Sequence, residues 1–464
     1  MGFLDSTSHA VQLLLALGGG VVLFVLAFAG YSRALFIGIV VMIPFQPIDS
    51  KYGSINMAIT YVVGFAMLLR RGDQKIGRRT GTPLIIPFVL LTMAYLIAWS
   101  LAPKMFFPKY MVNLIQLGSV VVLFYMSYAY FRNEKNLDTF FKALIISNVL
   151  VIIYSVIQVF VGYGHFSLFG ISELGMIENR QDQRLVGPFR AVGITAEYLV
   201  IQSLLLVHYM IHAGRLRKAG LVILLCNLAI LVGTGNRGGF IVAILAVVLF
   251  LYFYKRYIGG KGVLLAGLGF VVMLTASSFV MMAYTDFNVL YDRLFGTEIK
   301  GITPDTRSGW EDVVEKISER PVIGHGPRVV QPVEYDSPPG RWPEGHITYY
   351  PHSLYLYILY TTGVVGFIAY GTWAVSYWKI LCRERKRKRA FRKLGTGLST
   401  LGMLIFVIFL IDQLKVEFLR SSLLDYQHYL AALFGMFVAL RNIEVEDYFD
   451  DGSTPKTDRK PAIG

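Results

Sequence analysis

Residues 141–162 read FKALIISNVLVIIYSVIQVFVG, a run with one charged side chain, Lys142, and no proline. As a helix rising about 1.5 Å per residue it measures roughly 33 Å, enough to cross a hydrocarbon layer of roughly 30 Å. Similar runs recur along the 464 residues, 55% of which are apolar, and the mean hydropathy is +0.54. They are continuous rather than alternating over about ten residues, which argues against a β-barrel. The expected spans are 11–30, 34–47, 55–70, 83–102, 110–131, 141–162, 194–213, 219–236, 238–254, 262–284, 352–378, 395–412 and 423–441. The fold class is therefore an all-α polytopic membrane protein with about 12–13 transmembrane helices.

The formal net charge is +14. Its placement points to a membrane rather than to nucleic acid. Lys and Arg gather at 70–79, 215–218, 255–261 and 379–393, and such clusters mark cytoplasmic loops. The last contains Arg383-Glu-Arg-Lys-Arg-Lys-Arg389, which serves as a topology anchor or meets anionic lipid. Segments 163–193, 285–351 and 412–422 then lie outside. Residues 1–284 form the first ten helices, 352–441 the last ones, and 442–464 a disordered cytoplasmic tail. Ala27-Phe28-Ala29 resembles a signal-peptidase site, but residues 1–10 hold Asp5 and no Lys or Arg, so a retained first helix is expected. Cys226 and Cys382 have no metal-ligand spacing, and neither a disulfide nor a zinc site is expected.

The long outer segment, Thr285 to Pro351, has internal pattern. Trp310, Val313, Val314 and Ile317 recur at i, i+3, i+4 and i+7, the face of an amphipathic helix lying on the membrane or the bundle mouth. Ser308 with Glu311, or Asp305, would cap it. Pro321 ends it, and Gly324-His-Gly-Pro327 follows as a turn.

Several residues could carry chemistry at this outer face. Arg237 sits in Gly233-Thr-Gly-Asn-Arg-Gly-Gly239 between two apolar spans. Arg307 opens the amphipathic helix, where a cation opposes the positive helix end unless an anion binds. Arg184 and Arg190 bracket Leu-Val-Gly-Pro-Phe in the other outer loop. Guanidinium forks match phosphate oxygens. A diphosphate would explain four arginines on a side where topology asked for none, although each alone also fits an interfacial residue. His352, at the mouth of the next span, could exchange a proton near neutral pH. It could equally be a helix-start residue bonded to nearby backbone. Glu197, inside a span, is costly in lipid and is expected to face a cavity. Asp412 and Glu417 read as ordinary rim charges. There is no Walker loop, dinucleotide glycine fingerprint or paired acidic metal motif in the outer segments.

Three of these stretches carry a resemblance. His352-Ser353, nine residues, then Gly363-Val-Val-Gly366 resembles the His-containing signature of bacterial O-antigen ligases and O-antigen polymerases. Asn236-Arg237-Gly238-Gly239 is similar to their Ser-Arg-Gly element. Thr306-Arg307-Ser-Gly-Trp310 with Pro321-Val-Ile-Gly-His-Gly326 looks like the segment of the large periplasmic loop that precedes the family's histidine. Ser353 replaces the usual Asn, and none of the outer segments contains the Arg with Gly eleven positions later that many polymerases carry.

The resemblance implies an inner-membrane glycosyltransferase facing the periplasm. Its donor would be a glycan on undecaprenyl diphosphate and its acceptor a sugar hydroxyl, with no metal or nucleotide cofactor. His352 would activate the acceptor. Arg237 and Arg307 would hold the diphosphate, assisted by Arg184 or Arg190, with Glu197 as support. Polymerisation of O-antigen or exopolysaccharide repeats is the first expectation, and ligation to lipid A core or protein the second. A polysaccharide or lipid transporter, or an export scaffold, is the rival without chemistry. A chain-length regulator or export proteins are the partners such a polymerase implies, and nucleic acid is not among them.

Overall fold

The computed structural model describes residues 9–45, 49–50, 53–70, 83–100, 107–131, 134–161, 166–168, 171–174, 185–189, 191–213, 217–282, 309–326, 330–331, 347–348, 353–386, 394–414, 419 and 424–443. In chain order the helices are α1 (His9–Leu26), α2 (Ser32–Met42), α3 (Ile55–Arg70), α4 (Ile85–Ser100), α5 (Phe107–Tyr130), α6 (Glu134–Val161) and α7 (Val192–Ala213). They continue as α8 (Arg217–Gly233), α9 (Arg237–Met282), α10 (Gly309–Glu319), α11 (Leu354–Lys386), α12 (Leu398–Asp412) and α13 (Leu424–Ala439). Each expected span contains a helix. Among the described residues, 7 helical stretches are long and apolar enough to cross a membrane, and shorter apolar helices accompany them.

Glycines in the left-handed region break the longest runs. Gly30 (φ 118°) separates α1 from α2, and Gly259 (φ 70°) divides α9 into two spans. A residue without Cβ adopts these angles at little cost. The outer surface of the bundle is apolar, with Phe160, Leu264 and Leu265 more than two-thirds exposed. Lipid solvates such a surface, whereas water would not tolerate patches of this size.

The core forms around α13, all 16 residues of which are buried, as expected of a helix surrounded by other helices. Small residues let its neighbours approach. A Cβ on Gly435 would meet the Phe124 carbonyl and lie 2.7 Å from Ser127 Cβ on α5. One on Gly402 of α12 would lie 2.8 Å from the Phe437 ring. Close backbone approach of this kind is how helices associate where lipid removes the hydrophobic driving force. Ser127 Oγ donates to the Ala432 carbonyl (2.6 Å), and Ser119 Oγ meets His428 Nε2 (2.8 Å). Trp373, Tyr377, Phe406, Phe409 and Phe434 fill the layer between α11, α12 and α13 with edge and tilted ring contacts.

Short antiparallel strand pairs occur in the connections: β1 (Asp49–Ser50) with β2 (Gly53–Ser54), β3 (Phe166–Leu168) with β4 (Ile171–Leu174), and β5 (Val330–Gln331) with β6 (Ile347–Thr348). The last pairs Val330 with Thr348. It thereby returns the long connection to within four residues of His352.

The amphipathic helix appears as α10. Val313 is fully buried and forms a cluster with Tyr360 of α11, joined by Ile317 and Leu356. Val314 is exposed, so the buried face is narrower than the periodicity predicts. The proposed caps Asp305 and Ser308 lie outside the described residues, as does the side chain of Trp310. On its solvent face Lys316 Nζ donates to Glu319 Oε1 (2.6 Å). That hydrogen bond raises the lysine's pKa and lowers the glutamate's.

Candidate functional site

The α8–α9 turn builds the first wall. Gly235 (φ 55°) ends α8, in the left-handed conformation typical of helix ends. Asn236 then caps α9: its Oδ1 accepts from Gly239 N (2.8 Å) and its carbonyl from Phe240 N (3.1 Å). Arg237 is therefore the first residue of α9, and it is exposed. A cation here opposes the positive end of the helix, a mismatch that a bound anion would offset. Gly239 faces α7 so closely that a Cβ would lie 2.5 Å from that of Ala196. The neighbouring Glu197 is 1% exposed. It is enclosed by helices, and neither of the two cavities described below includes it in its lining.

The second wall is the short segment between Arg184 and Arg190. Leu185 N donates to the Gly233 carbonyl (3.0 Å), and Gly187 N donates to Gln158 Oε1 of α6 (3.1 Å). Thr195 Oγ1 of α7 donates to the Val186 carbonyl (2.5 Å). Gly187 is left-handed (φ 68°), and its missing Cβ would sit 2.6 Å from Thr195 Oγ1. Both arginines lie outside the described residues; Leu185, next to Arg184, is bonded to the end of α8 just before the turn that carries Arg237.

The third wall is the start of α11, which follows His352 in the chain. His352 and Arg307 lie outside the described residues, whereas Ser353 is buried. Leu354 N donates to the Gln413 carbonyl (2.9 Å), and the Tyr355 hydroxyl to the Leu410 carbonyl (2.6 Å). The start of α11 is thus tied to the end of α12.

Within α11, Gly363 is left-handed (φ 64°). Tyr355 and Tyr370, fifteen residues apart, have ring centroids only 6.4 Å from each other. On a straight helix their Cα atoms would stand about 22 Å apart, so the helix folds back at Gly363. The span expected over 352–378 is consequently a short limb, residues 354–362, laid against a long one.

Breaking a helix strands backbone groups that need partners in a membrane protein. Segment 321–326 supplies them. His325 N donates to the Tyr360 carbonyl (2.8 Å) and Gly326 N to that of Thr361 (2.8 Å). In return Val364 N donates to the Pro321 carbonyl (2.8 Å) and Val365 N to that of Val322 (3.2 Å). Gly324 is left-handed (φ 70°), and a Cβ there would lie 2.5 Å from the Thr361 carbonyl carbon. A Cβ on Gly363 would collide with the Val322 carbonyl. The two glycine motifs read from the sequence are therefore the two halves of one joint. Gly363→Ala is expected to cost about 1–3 kcal/mol from backbone conformation alone, and more from the collision. The check is a lower thermal midpoint than that of Gly371→Ala, whose Cβ would meet nothing within 4 Å.

One row of contacts links the walls. Tyr198, next to Glu197, packs on Tyr429 of α13 (4.9 Å between centroids), and Tyr429 stacks with Tyr426 (6.3 Å). Tyr426 is within electrostatic reach of Asp412, and Gln413 holds Leu354. The starts of α7, α9, α11 and α13 and the ends of α8 and α12 thus share one end of the bundle. Asp412 departs from the sequence reading. It is 1% exposed rather than a rim charge. Asp425 and Gln427 of α13 are also buried and were not singled out. The available signal was acidic and amide side chains inside apolar spans. Glu417 lies outside the described residues.

Two apolar crevices flank this end. One, of about 300 Å³, runs between α7, α8 and α9 from Leu199, Leu231 and Ala243 near the Asn236 turn to Met210, Leu221 and Phe270. The other, of about 370 Å³, includes Thr92, Tyr95, Gly118, Tyr370, Trp373 and Leu419.

Compared with known families, residues 220–371 match the O-antigen ligase family, a family of ligase-type glycosyltransferases. The match includes Arg237, Arg307, His352 and both halves of the glycine joint, and leaves out Arg184, Arg190, Glu197 and Asp412. No curated protein is similar enough to the chain to register as a match. Residues 220–371 of this multi-pass membrane protein thus match the O-antigen ligase family, which supports the O-antigen ligase and polymerase superfamily.

Proposed function

We propose that the protein is an inner-membrane glycosyltransferase that moves a glycan from undecaprenyl diphosphate to a sugar hydroxyl on the periplasmic face, polymerising O-antigen or exopolysaccharide repeats. The observation that carries this reading is the convergence of three segments on one end of the bundle. They are the Arg237 turn, the loop bracketed by Arg184 and Arg190, and the helix start that follows His352.

In the proposed reaction His352 takes the proton of the acceptor hydroxyl as its oxygen attacks the anomeric carbon. The bond from that carbon to the diphosphate breaks, its electron pair leaves on the phosphate oxygen, and the anomeric centre inverts. Arg237 and Arg307, with Arg184 or Arg190, offset the charge that grows on the leaving group. Glu197 supports this end from within the bundle. The crevice beneath the Asn236 turn suits a polyprenyl chain, whose apolar length needs no polar partners.

The family match favours a second reading, ligation of a finished glycan to lipid A core or protein. A deletion strain separates the two. Polymerisation predicts accumulation of lipid-linked material one repeat long, together with loss of long chains. Accumulation of long unattached chains instead would overturn polymerisation in favour of ligation. A chain-length regulator or export protein as partner belongs to the polymerase reading alone.

A further inference from the structure

The geometry points to His325 as a positioning residue, one that locks the outer amphipathic helix to the limb that begins beside His352. The role in catalysis rests on the transferase reading above, and the locking does not.

Three contacts converge on His325. Its backbone N–H donates to the Tyr360 carbonyl, as part of the joint at Gly363. Its ring stacks on that of Tyr360, with centroids 4.8 Å apart and planes 22° from parallel. Its Nε2 lies 2.8 Å from the Lys316 carbonyl. A carbonyl only accepts, so Nε2 carries the proton and donates. Lys316 is in the last turn of α10, where carbonyls have no helical partner. One imidazole therefore caps α10 and anchors that cap to the short limb of α11.

Backbone bonds alone would hold segment 321–326 on the joint. They would not fix the direction of α10, which touches the limb through Val313 and Ile317 against Tyr360 and Leu356. Arg307 lies two residues before α10, and His352 lies two residues before Leu354. The ring of His325 thus sets the relation between the two helices that follow Arg307 and His352 in the chain. Reactions that depend on such relations are sensitive to displacements of about 1 Å.

The test uses the full-length protein in lipid nanodiscs, with Cys226 and Cys382 replaced by serine. Ile317→Cys and Leu356→Cys are introduced and treated with a short bifunctional thiol reagent. The pair is expected to cross-link, with the yield falling about threefold or more in His325→Ala and recovering in His325→Gln, which keeps a donor near Nε2. Unchanged cross-linking in His325→Ala, or an equal loss in both variants, overturns the proposal whatever the protein's activity. In transfer assays with an undecaprenyl-diphosphate-linked repeat unit, His325→Ala is expected to lower kcat about tenfold with less than about twofold change in KM, and His325→Gln to restore most of it. A loss confined to KM overturns the positioning role. Equal turnover by wild type and His352→Ala would sink the transferase reading and the positioning role with it, leaving the cross-link to decide the locking.

Discussion

Replacing His352 by alanine is expected to reduce glycan transfer about 10²–10⁴-fold, the range contributed by a well-placed general base. The folded protein should remain in the membrane. The contacts that start α11 run through the backbone of its neighbours: Leu354 N on the Gln413 carbonyl, and the Ser353 carbonyl accepting from Tyr357 N (2.9 Å). The buried side chain at this point is that of Ser353, and the limb above it is held by segment 321–326. None of these contacts uses the imidazole, so its loss is expected to remove a proton acceptor and keep them. Transfer is measured in nanodiscs from a lipid-linked donor, and the thermal midpoint is recorded on the same sample. Glycan of normal length and yield from His352→Ala would falsify the general-base role. Loss of activity together with a large fall in thermal midpoint would reassign His352 to structure.

The helices were legible because twenty apolar residues in a row leave the chain little choice, and each expected span contains one. Segment 309–319 was legible for a related reason, its apolar residues repeating with helical period. Periodicity named Val314 as part of the buried face, yet among the described side chains Val313 and Ile317 pack on the limb of α11 while Val314 stays exposed. The fold-back at Gly363 was hidden. A glycine such as Gly363, between Thr362 and Val364, is tolerated within a membrane helix, and what decides for a break is a partner about forty residues earlier in the chain. The sequence contained both halves, Pro321–Gly326 and Gly363–Gly366, but their pairing is a tertiary fact. Asp412 was misread for the same reason. At the end of an apolar span an acid normally meets water, whereas Asp412 is buried, with Tyr426 of the later helix α13 within electrostatic reach.

Removing the guanidinium of Arg237 is expected to cost about 10²–10³-fold in kcat, the loss typical for a group that meets charge developing in the transition state. Arg237→Lys is expected to recover little of it. A lysine keeps the positive charge but presents one rotating ammonium where a planar fork binds two phosphate oxygens. The cap of α9 belongs to Asn236 and the close approach to α7 to Gly239, so neither is lost with the guanidinium, and the thermal midpoint is recorded beside turnover. Taking a cation off the positive end of a helix is, if anything, mildly stabilising. Arg307→Lys is expected to behave alike, since that residue stands two positions ahead of α10. The discriminating measurement is turnover at saturating lipid-linked donor. If the arginines act only as membrane-interface anchors, both lysine variants will turn over like wild type, since lysine snorkels as readily as arginine. A deep loss in both lysine variants, with unchanged thermal midpoints, requires a bidentate anionic partner at this end of the bundle.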